Sequence, residues 1–304
     1  MSTTHESGPT KRNLEADRIE EPSYERRLVL FLDFLGFREH VKRTTKDIRF
    51  LSKIIRAINT VSELGNDDRD FYKSQRITQF SDCIVLSYRI DEEAAVFWML
   101  FDIAVCILDI VGQGFLLRGA VTVGNLIHTR DYLIGPAIIE AYELESRVAK
   151  YPRVLIDKKV IKVARQAPRK GHTDVEEEKY VRAFMTKDKD KLHYFDYVSW
   201  KSVVGVIGGV DDKYPAYLKK IGEITCDGLK ANDPGIAEKY LWLHRQYLSA
   251  IRLVESLPPN NKYRIQSLQN CEAIESLPKF QDEARAARRR LSNGKRRQLR
   301  KSRS

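Results

Sequence analysis

The order of the apolar segments between residues 28 and 111 restricts the fold of this chain more than any other feature. Short apolar runs predict strands, and apolar residues repeated every three or four positions predict helices. In order, the patterns predict a strand at Leu28–Leu32, a helix at Arg38–Leu64, a hairpin of Gln75–Phe80 and Cys83–Tyr88, and a helix from Asp91 to about Val111. We therefore expect an α+β fold: a ferredoxin-like palm whose mainly antiparallel sheet carries helices on one face.

The segment that follows is expected to extend the same sheet. Gly124 and Asn125 form a turn signal within an apolar run, which predicts a second hairpin. The later elements are expected as strands Leu116–Val123 and Leu126–His128, a helix from Gly135 to about Ala149, a strand at Pro152–Ile156, a helix at Lys158–Gln166 capped by Asp157, a loop or frayed hairpin at 170–190, and a strand near His193.

The pattern becomes purely helical after Asp211. Helices are expected at about 212–230 and 235–256, with a weaker one at about 262–291. We divide the chain into four parts on these grounds. They are a disordered N-terminal arm (1–24), a core domain (25–205), a C-terminal helical extension (206–284) and a basic tail (285–304).

The net charge of +11 is concentrated in the tail. Residues 285–304 hold ten Lys or Arg and no acidic residue, so the chain before them carries about +1. Such a run is typical of a solvated or loosely helical segment, and it attracts nucleic acid only through salt-dependent contacts. Nucleic-acid binding through this tail is one alternative function.

The sequence predicts a soluble protein without a membrane span. The most apolar segment, Ala94–Gly112, is interrupted by Asp102 and Asp109, which favours a buried helix. The polar N-terminus lacks the apolar centre of a signal peptide. Four widely spaced cysteines form no CxxC pair, so we expect reduced thiols in the cytoplasm and no zinc site.

Two aspartates stand where apolar strands end. Asp33 follows the run Leu28–Leu32, and Asp82 lies in the predicted hairpin turn. A carboxylate at the tip of a buried strand is costly to desolvate unless a positive charge meets it. Two such carboxylates on neighbouring strands suit Mg²⁺ or Mn²⁺ together with substrate phosphates. The alternative is a solvent-facing Asp33 and an ordinary turn residue at Asp82.

Four segments, in this order, resemble the motifs of class III nucleotidyl cyclases. Phe31–Phe37 (FLDFLGF) resembles the first metal motif, and Phe80–Asp82 (FSD) resembles the second, with Ser81 in place of the usual glycine. Arg118–Gly124 (RGAVTVG) resembles the next hairpin, and Gly135–Ser146 (GPAIIEAYELES) resembles the active-site helix. The match covers a little under half of the chain. The sequences of these four motifs are most similar to those of the pyrimidine nucleotide cyclases of the bacterial Pycsar anti-phage systems.

The resemblance implies a role for the two aspartates. Enzymes of this family convert a nucleoside triphosphate into a 3′,5′-cyclic monophosphate and pyrophosphate, with two divalent cations, Mg²⁺ or Mn²⁺. It implies that Asp33, Asp82 and the backbone carbonyl of Phe34 hold these ions. It also implies a homodimer in which each active site lies between two subunits.

The residues after Asp33 predict a phosphate site. The backbone turns at Gly36 and leads into a helix, whose N-terminus favours anions. We therefore expect the N–H groups of Phe34, Leu35, Gly36 and Phe37 to bind the β- and γ-phosphates.

Two positions argue against a purine substrate. Purine-specific relatives read the base with a lysine four residues before the second metal aspartate, where this chain has Thr78. They also use an aspartate three residues before the helix-opening glycine, where this chain has Tyr132. Both side chains can hydrogen-bond either pyrimidine. UTP and CTP therefore both stay open as substrates, and UTP is favoured only by the family resemblance.

The motifs leave two candidates for the arginine that stabilises the transition state. Relatives carry Asn and, four residues later, Arg in the active-site helix, where this chain has Ile139 and Glu143. Arg147, one turn further along, and Arg118, on the preceding strand, could replace that arginine. The alternatives are a salt bridge from Arg118 to Glu143 or Glu145, and a solvated helix face for Arg147.

The preferred interpretation is a cyclase that makes cUMP or cCMP as a second messenger in anti-phage defence. In the family, the cyclic nucleotide activates a separate effector, which would be a partner of this protein. A non-catalytic nucleotide sensor with the same fold is the second interpretation, because Ile139, Glu143 and Ser81 depart from the family pattern.

Overall fold

The structure, a computed structural model, describes residues 23–62, 73–205, 208 and 211–301, with backbone only for 295–301. The N-terminal arm predicted at 1–24 lies outside the described residues except for its last two positions. Residues 66–72, whose charged sequence predicts a loop, lie wholly outside them.

The described strands form one sheet in which most pairs are antiparallel and β4–β6 is parallel. The strands are β1 (Glu25–Phe34), β2 (Arg76–Phe80), β3 (Cys83–Arg89), β4 (Leu117–His128), β5 (Leu133–Ile134), β6 (Val154–Ile156), β7 (Met185–Lys187) and β8 (His193–Phe195). Their order across the sheet is β2-β3-β1-β4-β6-β8-β7, and the short β5 pairs with β4.

Helices connect these strands and form the C-terminal part of the described chain. They are α1 (Phe37–Thr44), α2 (Ile48–Ser62), α3 (Ala95–Gly112), α4 (Pro136–Glu143), α5 (Lys158–Ala164), α6 (Asp174–Ala183), α7 (Trp200–Val203), α8 (Tyr214–Leu229), α9 (Pro234–Glu255), α10 (Lys262–Gln266), α11 (Leu268–Glu275) and α12 (Gln281–Lys301). A π-helical turn, Leu144–Val148, continues α4.

The first four long strands confirm the predicted ferredoxin-like palm. Strand β1 lies between β3 and β4 and is antiparallel to both, and β2 pairs with β3 at the edge. Helices α2 and α3 connect β1 to β2 and β3 to β4, which gives the order strand, helix, hairpin, helix, strand. The sequence pattern predicts this arrangement because a short hairpin forces its two strands to be neighbours.

Strand β1 is buried on both faces. Leu28, Leu30 and Leu32 belong to the main core with α2 and α3. Val29 and Phe31 point the other way and pack in a second cluster that includes Ala137 of α4. Alternate residues of a strand face opposite sides, so the palm helices cover one face of β1 and α4 covers the other.

Helix α3 is long and apolar enough by length and composition to span a membrane, and most of its apolar side chains are buried in the core. Its two acids have partners within the fold. Tyr88 donates its hydroxyl proton to Asp102 (2.6 Å), and Thr60 donates to Asp109 (2.8 Å). The predicted buried helix is confirmed, beginning at Ala95 rather than at Asp91.

Two predicted elements near the palm are wrong in detail. The single helix predicted at Arg38–Leu64 is divided into α1 and α2, because Asp47 caps a new helix by accepting the Phe50 N–H (3.1 Å). The turn predicted at Gly124–Asn125 is absent, since β4 runs unbroken through both residues. A Cβ on Gly124 would lie 3.1 Å from the Ala137 Cβ, so this glycine lets α4 approach the strand closely.

Two predictions in the second half of the chain are also wrong. The segment 170–190 contains α6, which begins with a capping box between Thr173 and Glu176, and β7. The single helix predicted at 262–291 is three helices, interrupted at Ser267 and after Glu275. Helices α8 and α9 were predicted correctly. The basic segment is helical in the described part, with Ala287 buried beside Leu229 and Ala237.

Candidate active site

The fold brings Asp33 and Asp82 together. Asp33 lies near the end of β1, in register with Cys83 on β3 and with Arg118 on β4. Asp82 lies in the β2–β3 turn, and its carbonyl accepts the Phe34 N–H at 3.2 Å. This bond joins the end of β1 to the turn. Carboxylate oxygens of both aspartates and the Cys83 Sγ lie within 4.8 Å of one another.

The backbone of the β2–β3 turn is strained at Ser81. The sequence places this serine where relatives carry glycine, and its φ is 56°, in the left-handed region. A non-glycine residue pays an energetic penalty there, whereas glycine does not. The turn therefore holds a left-handed conformation at a residue that has a side chain.

Asp33 and Glu145 lie in an environment that disfavours their negative charge. The pKa of Asp33 is raised to about 7, first by burial and then by the charge of Glu145, while Arg118 acts in the opposite direction. Burial also raises the pKa of Glu145, which is 2% exposed. Asp33 and Glu145 thus share one partly buried arginine, with Asp82 close to Asp33, an arrangement that a divalent cation would stabilise.

The donor set fits a hard cation such as Mg²⁺ or Mn²⁺. Burial and the neighbouring carboxylates raise the pKa of the Cys83 thiol to about 12, so it stays protonated and is a poor ligand. The carboxylate oxygens of Asp33 and Asp82 are then the donors that this cluster offers. Oxygen donors are those that Mg²⁺ prefers.

Arg118 is an ion-pair partner within this group. Its Nη2 forms a close ion pair with the Glu145 Oε1 and lies 3.4 Å from the Asp33 Oδ2. The salt bridge to Glu145, one of the two alternatives for this residue, is therefore present in the structure. The Arg118 Nε has no hydrogen-bond partner among the described residues, although it is buried.

The loop after Asp33 is a turn into α1, as predicted. Gly36 has a φ of 78° and precedes the helix, and its carbonyl accepts the N–H groups of Glu39 and His40. The N–H of Phe34 is bonded to Asp82, and that of Leu35 donates to the Leu116 carbonyl (2.8 Å). Gly36 and Phe37 are thus the better placed of the four predicted phosphate-binding residues.

Arg147 lies apart from the aspartates. Its side chain is 74% exposed and pairs with Glu143 at 2.9 Å, one turn back on the same helix. This exposed position agrees with the alternative interpretation of Arg147 as part of a solvated helix face. A role in catalysis within one chain is not supported by these contacts, and only a second subunit could bring Arg147 to an active site.

The two predicted base-reading residues lie on different elements, and each is near His128. The Thr78 hydroxyl of β2 lies 2.9 Å from the His128 Nε2, and Tyr132 is 63% exposed in the turn that follows β4. Both His128 and Tyr132 line a cavity of about 720 Å³. At the end of β4, Leu126 shares a buried cluster with Val29, and the His128 Nδ1 lies 2.8 Å from the Ser87 Oγ.

Sequence reasoning missed Lys239 on α9. This half-buried lysine interacts electrostatically with Arg118, Asp33 and Glu145. Burial and then the Arg118 charge lower its pKa, while the carboxylates oppose that shift. The next residue, Tyr240, lines a cavity of about 310 Å³ together with Leu35 of the predicted phosphate loop. A single lysine in a distant helix carries no sequence signal that could have placed it here.

The sequence pattern favours a structural role for His128, an isolated histidine near a strand end. In the structure it is buried and bonded through both ring nitrogens.

No protein-family profile and no curated protein matches the chain. Solved structures with a similar fold include the adenylyl cyclase CyaB from P. aeruginosa, with 17% identity, 47% of this chain and 82% of that chain covered, and a TM-score of 0.35. Another is the guanylate cyclase domain of RhGC from Catenaria anguillulae in complex with GTP, with 15% identity, 57% and 94% coverage, and a TM-score of 0.36.

A third neighbour is a class III adenylyl cyclase-like ATP-binding protein from Pseudomonas aeruginosa, with 12% identity, 61% and 41% coverage, and a TM-score of 0.38. These neighbours are cyclase-like in fold. The likeness at these identities and TM-scores is one of fold.

Proposed function

We propose that this chain is a metal-dependent pyrimidine nucleotide cyclase. It converts UTP, or alternatively CTP, into the 3′,5′-cyclic monophosphate and pyrophosphate. The main support for the proposal is that Asp33 and Asp82 lie at the ends of adjacent strands. Their carboxylate oxygens are within 4.8 Å of one another. Two partly buried carboxylates with too little positive charge around them are suited to bind divalent cations together with a triphosphate.

The reaction needs positioning and charge neutralisation. The ribose 3′-oxygen attacks the α-phosphorus, the bond to the β-phosphate oxygen breaks, and the 3′-proton is lost. Divalent cations held by Asp33, Asp82 and the Phe34 carbonyl would supply positive charge to the 3′-oxygen and the phosphates. This part of the proposal rests on the geometry of the aspartates and on the resemblance of their motifs.

The phosphates need additional donors from the chain itself. The N–H groups of Gly36 and Phe37, at the start of α1, are oriented as helix N-terminal donors. Lys239 adds a positive charge that interacts electrostatically with Asp33. Arg118 is already paired with Glu145, so its role is to hold the acidic cluster and, with substrate present, to share its remaining N–H groups.

The choice of a pyrimidine rests on Thr78 and Tyr132. Purine-specific relatives carry Lys and Asp at these positions, and a charged pair of that kind is missing here. UTP is our preferred substrate over CTP. A role in anti-phage defence, through a cytoplasmic cyclic nucleotide that activates a separate effector, follows from the motif resemblance alone.

A homodimer is the assembly that this proposal requires. Several apolar side chains on and around the α4 face are exposed, and a second copy of the chain would cover them. They are Phe80, Tyr132, Ile134, Ile139 and Tyr142. In such a dimer, Thr78 of one subunit would serve the aspartates of the other.

The second candidate function is a nucleotide sensor without turnover. Two observations favour it: Arg118 is engaged by Glu145, and Arg147 faces solvent. Under this interpretation the aspartates bind a metal–nucleotide complex but no arginine reaches the developing charge. The sensor would show metal-dependent nucleotide binding and no cyclic product.

The test is a turnover assay with purified full-length protein. ATP, GTP, CTP and UTP are incubated separately with Mn²⁺ or Mg²⁺, and products are identified by mass. We expect a cyclic pyrimidine from the wild type, and its loss in Asp33→Asn and Asp82→Asn. Asp282→Asn, whose side chain is 89% exposed on α12, is the matched control. A cyclic purine, or full activity in either aspartate variant, would contradict the proposal.

A further inference from the structure

A cavity of about 720 Å³ opens at the opposite end of β1 from Asp33. It is lined by residues at the start of β1, at the start of β2, at the end of β3, and at the end of β4 with the turn that follows. Arg27 of this lining and Asp33 lie roughly 20 Å apart along the extended strand. The volume falls within the range of roughly 300–1,000 Å³ that is typical of small-molecule sites. Within one chain, the cavity is therefore separate from the cluster of Asp33 and Asp82.

Most charged side chains of this lining are basic. The cations are Arg27, Lys73, Arg76, Arg89 and Arg130, and the acids are Glu25 and Glu92. Five positive and two negative charges give the lining a formal charge of +3. Asp131, which follows Arg130 in the sequence, is not part of the lining. The fold thus concentrates positive charge at this cavity.

Both acids of the lining are already engaged by the protein. The Glu25 carboxylate forms a close ion pair with Arg27 and lies 4.0 Å from the Arg89 Nη1. Glu92 accepts hydrogen bonds from the N–H (3.0 Å) and the hydroxyl (2.6 Å) of Ser74. These carboxylates are therefore committed to partners other than the remaining three cations.

Lys73, Arg76 and Arg130 are those three cations. All are exposed, and none pairs with a carboxylate among the described residues. The Arg76 Nη1 donates to the carbonyls of Lys73 (3.0 Å) and Gln75 (2.7 Å), and in that part of the chain its Nε and Nη2 have no acceptor. A guanidinium presents its N–H donors in a fork that matches a phosphate group. These side chains therefore offer donors that fit an anion.

Arg27 and His128 form a buried inner wall, because they are only 2% and 4% exposed. The Arg27 Nε donates to the Ser87 Oγ (2.9 Å). Its other guanidinium nitrogens are bonded to Glu25 and to the carbonyls of Ser74 and Ser87. The His128 Nδ1 lies 2.8 Å from the same Ser87 oxygen. The charge of Arg27 is thus held in place before any ligand binds, and such preorganisation lowers the cost of binding.

The cavity also has an aromatic side. Tyr132 lines it with a side chain that is 63% exposed, and the half-buried Ile127 is part of the same lining. A tyrosine ring favours packing against another flat ring. The lining thus combines cations that suit a phosphate with a surface that suits a heterocycle.

We propose that this cavity is a second ligand site, which binds the phosphate group of a small, nucleotide-sized molecule without a divalent cation. Lys73, Arg76 and Arg130 contact the phosphate, and Arg27 supplies a fixed positive charge behind them. The proposal goes beyond the cyclase function and does not depend on it, because the site uses neither Asp33 nor a metal. Inorganic pyrophosphate and a nucleotide share the phosphate chemistry that such a site recognises.

The first test is binding in the absence of metal. Purified full-length protein in EDTA is titrated with pyrophosphate and, separately, with UMP, by isothermal calorimetry. We expect binding whose affinity falls as the salt concentration rises. Asp33→Asn should bind no more weakly than the wild type. No binding to the wild type, or a loss of binding in Asp33→Asn, would overturn the proposal.

The second test removes one cation at a time. Arg76→Gln and Arg130→Gln should each raise the Kd roughly 10- to 100-fold, the loss expected for one hydrogen bond between charged groups. Both side chains are exposed, so the melting temperature should stay unchanged. Arg285→Gln, 63% exposed on α12, removes the same charge from the basic segment and is the matched control. An equal rise of the Kd in Arg285→Gln would show unspecific attraction to a basic chain and overturn the proposal.

Two further variants locate the ligand and identify its source. Glu25→Gln should lower the Kd, because it removes an internal carboxylate that competes for Arg27 and Arg89. A higher Kd in this variant would overturn the placement of the anion. Tyr132→Ala should weaken the binding of UMP and leave that of pyrophosphate unchanged if the ligand is a nucleotide. Unchanged affinities for both would support the same phosphate site with a free phosphate compound as its ligand.

Discussion

Asp33 and Arg118 lie directly opposite each other in the β1–β4 pairing, with the Arg118 Nη2 at 3.4 Å from the Asp33 Oδ2. The same nitrogen is paired with Glu145, which the π-helical turn after α4 brings to the strand. The predicted metal ligand is thus held by a residue that the sequence offered as a catalytic arginine. This relationship makes the charge of the acidic cluster the property to test first.

Asp33→Asn should remove the response of the protein to divalent cations. The substitution relieves repulsion with Glu145 and Asp82, so the metal-free variant should be at least as stable as the wild type. A ligand at a hundredfold its Kd stabilises a protein by about 2.7 kcal/mol, and the wild type should gain on that order with Mn²⁺. Thermal unfolding with and without Mn²⁺ measures the difference. An equal gain in Asp33→Asn would exclude this residue as a ligand, and Asp282→Asn should behave as the wild type.

Arg118→Ala should destabilise the fold by about 3–5 kcal/mol, because it leaves Glu145 buried without its partner. The double variant Arg118→Met/Glu145→Leu should recover much of that loss, since the unpaired charge is gone. Urea unfolding of Arg118→Met, Glu145→Leu and the double variant gives the coupling energy. If the losses in unfolding free energy are additive, Arg118 and Glu145 do not stabilise each other, and the ion pair does not explain the burial of Glu145.

The stability of the protein should fall on acidification through His128. Its pKa is lowered from 6.5 to about 4, so the unfolded chain binds a proton between these values and the folded chain does not. The contribution of His128 is therefore complete above pH 6.5 and decreases as the pH falls towards 4, by at most about 3 kcal/mol. Urea unfolding at pH 7 and pH 5 measures this loss. His128→Gln should show a smaller difference between the two pH values, and an unchanged difference would contradict the assignment.

Lys239→Met should raise the KM for the nucleotide roughly 10-fold or more, with little change in stability. The reason is the loss of a positive charge beside Asp33, since a hydrogen bond to a charged group contributes about 1.5–3 kcal/mol. Steady-state kinetics of the wild type and the variant provide the measurement. Lys230→Met, whose side chain is 61% exposed and pairs with Asp227, is the matched control. If both lysine variants behave alike, the C-terminal extension contributes nothing specific to the site.

Deleting residues 285–304 should lower the melting temperature, whereas deleting residues 295–304 should not. The longer deletion removes Ala287, which is buried against α9, and Arg290, which donates to the Leu229 carbonyl. A loss of about 1–3 kcal/mol corresponds to roughly 2–10 °C for a chain of this size. Thermal unfolding of the two truncated proteins provides the comparison. An unchanged melting temperature in the longer deletion would mean that the basic segment is accessory throughout.

The palm was predictable because its elements are local. The apolar run of β1, the periodicity of α2 and the two-residue turn at Ser81–Asp82 each reflect interactions between neighbours in sequence. Predictions failed where a distant contact decided the structure. Gly124 resembles a turn residue, yet it lies inside β4, because Ala137 needs the space that a side chain would fill.

Sequence alone singled out Asp33, Asp82 and the loop at Gly36, since these residues follow strand ends and form ordered motifs. Only the three-dimensional arrangement revealed that Arg118 is shared with Glu145, that Lys239 interacts electrostatically with both, and that His128 is hydrogen-bonded to Thr78. The physical reason is that burial and hydrogen bonding depend on every element around a side chain. The contacts among Arg27, Ser87, His128 and Thr78 join four different strands, and no spacing in the sequence records them.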